Sequence, residues 1–160
     1  MLHQFLKRKA FKIMASREPD FVIGAHRNPP YIKRWWVIPR NRFFNIYLHA
    51  VGQDDDDRAM HDHPWINMSY ILEGGYNECT PKWTKPLTKG QHRFRRPRAL
   101  HRLELLDNQY TLSLFITGPK VRKWGFQTED GWVSWEDFVS PAEGGNGRCL
   151  GELYDKGQRI

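Results

Sequence analysis

Between residues 43 and 51 the chain alternates, with Phe44, Ile46 and Leu48 on one side and Asn45, Tyr47 and His49 on the other. Period two is the signature of a β-strand, whose successive side chains point to opposite faces. Short apolar or alternating runs at 66–72, 76–79, 91–95, 102–106, 110–117 and 123–127 predict further strands, and 132–139 reads as a last strand or a helical turn. The breaks between these runs hold Gly74-Gly75, Pro81, Pro86, Gly90, Asp107-Asn108 and Gly118-Pro119. Such residues set turns by supplying positive φ, a fixed φ or a local side-chain hydrogen bond. Many short strands with this punctuation predict an all-β chain, folded as a sandwich or barrel.

The start of the chain follows a different period. Leu2, Phe5, Leu6, Phe11, Ile13 and Met14 fall along one side at helical spacing, with Lys7, Arg8, Lys9 and Lys12 opposite. This predicts a short amphipathic helix over 2–14 that docks on the strands or covers a partner subunit. Pro19 and Pro29-Pro30 then interrupt the chain, so the segment ending in Trp35-Trp36-Val37-Ile38-Pro39 reads as an irregular or edge-strand lead-in. The expected organisation is a helix and lead-in at 1–40, a barrel at 41–140 and a tail at 141–160. Gly52-Gln53-Asp54-Asp55-Asp56-Asp57 reads as an exposed loop, because four packed aspartates would repel one another.

Composition narrows the function classes. A chain of 160 residues buries a core without disulfides, and Cys79 and Cys149 are too few for a disulfide framework. A half-buried structural role is expected for Cys79. No apolar run is long enough to span a bilayer, and lysines interrupt the first fifteen residues, so no signal peptide or membrane association is expected and the expected setting is cytoplasmic. The formal charge of +7 and seven tryptophans raise nucleic acid as a partner, since cations neutralise phosphates and rings stack on bases. Lysine and arginine are nevertheless spread along the whole chain, which favours a small anionic substrate over DNA or RNA.

The candidate chemistry lies in three histidines. In an extended segment His61 and His63 share a face while Asp62 turns away. His101 follows a later strand and the bend Arg96-Pro97-Arg98, which can bring it alongside. Neutral imidazole suits iron, zinc, copper, nickel and manganese, so the ligand type alone names no metal.

These residues resemble the cupin superfamily. Its first motif is a His-x-His followed by a Glu and then by a strand ending in a Leu-Glu-Gly-like turn; the corresponding run here is His61-Asp62-His63 through Asn67 to Leu72-Glu73-Gly74. Its second motif spaces a Gly, a Pro, a second Gly and a His as Gly90, Arg96, Arg98 and His101 are spaced here, with arginine at the Pro and second Gly positions. The likeness covers roughly 43–127. It implies a cupin-like antiparallel β-barrel (double-stranded β-helix, or jelly roll) with a short N-terminal helix, one divalent transition metal, Fe(II) ahead of Zn, Ni or Mn, and a homodimer. It implies His61, His63 and His101 as ligands. Asn67 stands where the family has its glutamate, and would offer a weak carbonyl ligand or leave the place to water. Open coordination positions are what a reacting molecule needs.

Around that site, Tyr47 and His49 either line the barrel mouth as substrate contacts or face solvent, and Arg98, in the bend nearest His101, is the candidate grip for a carboxylate or phosphate. Ser69 shares the parity of Asn67 and reads as a small core residue. Glu73 reads as a solvated turn residue. Trp65 is expected to pack below the ligand strand, and Trp124, Trp132 and Trp135 to build the far end of the core or a dimer interface. The expected function is a mononuclear metal-dependent cupin enzyme with oxygenase-type chemistry on a small organic substrate. The alternatives are a non-enzymatic ligand-binding or structural cupin, and a nucleic-acid- or virion-associated accessory protein. The last is suggested by a looser similarity of Arg58-Ala59-Met60-His61-Asp62-His63-Pro64-Trp65 and Trp124-Gly125-Phe126 to small uncharacterised cupins of bacteria and their viruses.

Overall fold

A computed structural model describes residues 1–55 and 59–139; Asp56, Asp57, Arg58 and the tail expected at 141–160, with Cys149, lie outside the described residues. The chain begins with helix α1 (Leu2–Ser16), then runs through β1 (Phe21–Ile23), β2 (Ile32–Trp36), β3 (Asn45–Val51), β4 (Met60–His61), β5 (Asn67–Glu73), β6 (Gly75–Cys79), β7 (Thr84–Thr88), β8 (His92–Arg95), β9 (Arg102–Leu105), β10 (Thr111–Thr117), β11 (Gly125–Thr128) and β12 (Gly131–Ser134), and the described part ends at helix α2 (Trp135–Phe138). The stretch left open between strand and helical turn is thus both in succession.

One antiparallel sheet has the order β1-β2-β3-β10-β5-β8. Two further sheets, β12-β11-β4 and β7-β6-β9, are stitched together where His61 and His101 exchange backbone hydrogen bonds of 2.9 and 3.0 Å. The main sheet therefore faces a second surface whose seam is the pair of histidines. The chain crosses from one to the other between β5 and β6 at Gly74, whose φ of 69° favours glycine and where an added Cβ would meet the Tyr110 carbonyl oxygen at 2.5 Å.

Register decides which residues share a face. Arg34, His49 and Ser113 form one cross-strand row, Tyr47, Phe115, Ser69 and Arg93 a second, and Thr117, Asn67 and Arg95 a third, all pointing between the sheets. The opposite face carries Trp35, Leu48 and Leu112, on which α1 lays Leu6, Ala10, Ile13 and Met14. Burial of this apolar surface, with each fully covered large side chain contributing about 1.5–3 kcal/mol, holds the helix to the sheet. Lys7 and Lys89 pair with Glu73, so the residue read as a solvated turn anchors α1 to the end of β5.

Two expectations about breaks change. Pro86 lies inside β7, an edge strand, where a missing N–H removes no central ladder bond. The lead-in, read as irregular or an edge strand, supplies β1 at the edge of the main sheet and also an interior strand, β2, paired along β3 from Ile32 to Trp36. Cys79 is buried rather than half-buried.

Candidate metal centre

His61 ends β4, His63 lies just beyond it, and His101 begins the chain's entry into β9. Their ring centroids are 5.1 Å (61 to 63), 4.6 Å (61 to 101) and 5.1 Å (63 to 101) apart, and one nitrogen from each falls within 4.8 Å of the others. The structure thus brings together the three histidines singled out from the sequence. His63 Nε2 stands 2.9 Å from His101 Nε2. Two nitrogens each about 2.1 Å from one cation at a right angle lie about 3 Å apart, so this separation suits two ligands of one ion.

Buried carboxylates stand on the far sides of two rings. Glu78, 2 % exposed on β6, accepts from His101 Nδ1 at 2.9 Å. A carboxylate only accepts, so the proton sits on Nδ1 and the Nε2 lone pair is left for a cation. Asp55 Oδ2 lies 3.5 Å from His61 Nδ1. Asp55 is itself fixed by the Tyr31 hydroxyl and by the Leu103 N–H at 2.7 Å. The aspartate loop was read as exposed; its Asp55 is buried because those donors and His61 replace its water.

Burial lowers the pKa of all three imidazoles. For His63 and His101 the neighbouring imidazoles push further the same way, whereas Asp55 partly offsets the effect at His61. Neutral rings with converging lone pairs, oriented by second-layer carboxylates, fit a transition-metal ion.

Arg95 places a buried positive charge beside the cluster. Its guanidinium, 4 % exposed, donates to Glu78, to Ser69 Oγ at 2.9 Å, to Tyr76 Oη at 3.3 Å and to Asn67 Oδ1 at 3.4 Å. Burial opposes its charge, but Tyr76 and Glu78 outweigh that and raise its pKa. Arg93 Nε lies 3.1 Å from the other Glu78 oxygen, an ion pair set off-axis for a hydrogen bond. Asn67, at the position where the resemblance would place a carboxylate, is buried, with its carbonyl aimed at Arg95 and its Nδ2 without a partner among the described residues. Ser69, read as a small core residue, is buried and bonded to Arg95.

Tyr47 and His49 face inward. His49 stacks on Phe115 at 5.0 Å, and Phe115 lies 5.7 Å from the His63 ring. Burial, then Arg34, pushes the His49 pKa well below its ordinary value. Arg98 lies elsewhere: it is exposed and lines a hollow of about 190 Å³ with Asp62, Leu100, Arg122, Gln127 and Trp132. Asp62 turns away from the cluster, accepting from Gly125 N–H at 2.9 Å, Trp132 Nε1 at 3.0 Å and Arg122. Trp124 stacks on Trp135 at 5.9 Å and borders His61, and Trp65 is half-buried.

Asp55, Glu78 and Arg34 were not singled out from sequence. Glu78 had a usable signal: on a strand it shares parity with Tyr76, so the tyrosine's side of β6 carries a carboxylate.

No family model and no curated protein matches the sequence. Solved structures do match by fold. One is a Ralstonia eutropha protein named as a candidate mannose-6-phosphate isomerase, at 13% identity over 62% of this chain and 92% of that one, with a TM-score of 0.51. A Klebsiella pneumoniae protein with a double-stranded β-helix domain is similar at 12% identity over 59% and 83% of the two chains, TM-score 0.49. A cupin-2 domain protein from Shewanella frigidimarina is similar at 13% identity over 55% and 80%, TM-score 0.46. At such identities the likeness is one of fold: this mostly β chain with its N-terminal helix has cupin and double-stranded β-helix proteins as structural neighbours, and it carries a three-histidine cluster between its sheets.

Proposed function

We propose that this chain is a mononuclear metal-dependent enzyme of the cupin type, with oxygenase-type chemistry on a small anionic organic substrate. His61, His63 and His101 hold one divalent transition metal, Fe(II) ahead of Zn, Ni or Mn. The observation that carries this reading is the placement of buried carboxylates, Glu78 and Asp55, behind two of three converging neutral imidazoles. When bound, such a metal supplies Lewis acidity and, if redox-active, electrons for dioxygen chemistry. Glu78 holds the His101 tautomer, and Arg95 holds Glu78 while aligning Ser69 and Asn67. Phe115 packs between the rings of His63 and His49. A cytoplasmic setting belongs to the same proposal. So does a homodimer through the β8 edge of the main sheet, where Phe94 is 61% exposed.

The test is metal analysis of untagged protein purified without chelators, followed by oxygen uptake across candidate substrates with His101→Ala as control. Expected are one metal per chain and substrate-dependent uptake lost in the variant. Absence of metal, with no uptake on adding iron or zinc, overturns the metal reading. Metal with ligand binding but no turnover turns the protein into a binding module.

A further inference from the structure

The guanidinium groups between the sheets are not equally satisfied. Arg95 and Arg93 share Glu78. Arg34 has no such partner. It sits on β2 directly across from His49, donates Nε–H to His49 Nε2 at 2.8 Å, and lies 4.9 Å from the centroid of the Tyr47 ring. Both partners are neutral, and among the described residues no carboxylate pairs with it. Arg34 is part-buried, and one ring nitrogen and one aromatic face compensate poorly for water around a cation with five N–H donors. Burial accordingly pulls its pKa below the ordinary guanidinium range.

Its position is as telling as its charge. Arg34 opens a row that continues through His49 and Phe115 to His63, on the face that looks between the sheets. A guanidinium held by its Nε edge and its flat face keeps its two terminal nitrogens for a planar, bidentate acceptor.

We propose that Arg34, oriented by His49 and Tyr47, binds a carboxylate of the substrate while the substrate's other end reaches the three-histidine cluster. Arg34 is then the specificity-determining residue, in the role for which the sequence suggested Arg98. This deepens the function proposed above and rests on it.

The probes are malonate, succinate and glutarate with their neutral diamides, titrated calorimetrically into the Co(II)-loaded protein, with the Co(II) absorption spectrum reporting events at the histidines. Expected is binding of at least one dianion, weakened tenfold or more in Arg34→Gln, partly restored in Arg34→Lys and unchanged in Arg98→Gln, with Co(II) uptake equal in all four proteins. The diamides should not distinguish wild type from Arg34→Gln. A residue that merely supports the fold would lower the melting temperature when replaced; Arg34→Gln should leave it unchanged or raise it, because an uncompensated charge is removed. Equal dianion affinity in wild type and Arg34→Gln, or an equal loss in Arg98→Gln, overturns the proposal. If the wild type takes up no Co(II), the metal reading fails by itself. The same dianions titrated into the metal-free protein then decide: Arg34-dependent binding supports the carboxylate site, and Arg34-independent or absent binding overturns it.

Discussion

Replacing Glu78 with glutamine removes one charge and almost no volume from a site that three groups share. Glu78 is 2 % exposed, and its oxygens face His101 Nδ1 at 2.9 Å, Arg95 Nε, and Arg93 Nε at 3.1 Å. Two consequences follow, and they are separable. First, Arg95, 4 % exposed, loses its counter-charge; breaking a buried pair costs about 3–5 kcal/mol, and because an amide oxygen remains as acceptor the loss should sit near the lower end, about 3 kcal/mol. Second, His101 loses the acceptor that fixes its tautomer, which weakens metal affinity about 10–100-fold. Urea unfolding of the metal-free protein measures the first, and competitive Zn(II) titration of the folded protein the second. Asp55→Asn provides an internal scale: at 3.5 Å its carboxylate is a weaker partner of His61, so its effect on metal affinity should be smaller. Unchanged metal affinity in Glu78→Gln, or metal-free stability within about 0.5 kcal/mol of wild type, would refute the account of the carboxylate as orienter and counter-ion.

Other changes separate the site from its scaffold. Leu48 is wholly buried on the α1 side of β3, so Leu48→Ala should cost about 2–5 kcal/mol in urea unfolding and leave metal stoichiometry unchanged. Asp62→Ala leaves Gly125 N–H and the Trp132 indole without their acceptor; about 2–3 kcal/mol of stability should go, again with one metal per chain retained. In the metal-free protein, burial holds His49, His61, His63 and His101 below the ordinary imidazole value of 6.5. The unfolded chain then takes up protons that the folded chain refuses, so this stability is present above about pH 6.5 and is lost as the pH falls. Melting temperature should drop between about pH 7 and pH 5, and a flat profile would contradict neutral buried rings. Phe94→Glu, on the exposed outer face of β8, should convert the proposed dimer to monomer in sedimentation velocity without changing metal content.

Most strands were legible because local chemistry announces them: alternation over 43–51 became β3, and Gly74 turns the chain between β5 and β6. Pro86 misled because proline is excluded from central strands only, and nothing local tells an edge from a centre. The lead-in strands β1 and β2 were obscured by the prolines around them, although Trp35 and Leu48 are cross-strand partners on the face that α1 covers.

The site divides along a similar line. His61, His63 and His101 could be read because ligand spacing is a local pattern, and so could the outward turn of Asp62. The groups that orient them come from β6 and from the aspartate loop, and such partners depend on pairing across the fold. Alternation says which residues share a face without saying which face is inside. Here the main sheet is inverted relative to a simple half-buried strand: Leu48 lies under a helix, while Asn67, Ser69, Arg93 and Arg95 point between the sheets. A polar interior of that kind costs stability unless each charge finds a partner. Glu78 meets that requirement for Arg95 and Arg93, and Asp55 faces His61. Among the described residues Arg34 is the inward cation left with neutral partners, and it stands on a strand that sequence had taken for a lead-in, so the residue proposed to grip the substrate was hidden by the same ambiguity that hid β2.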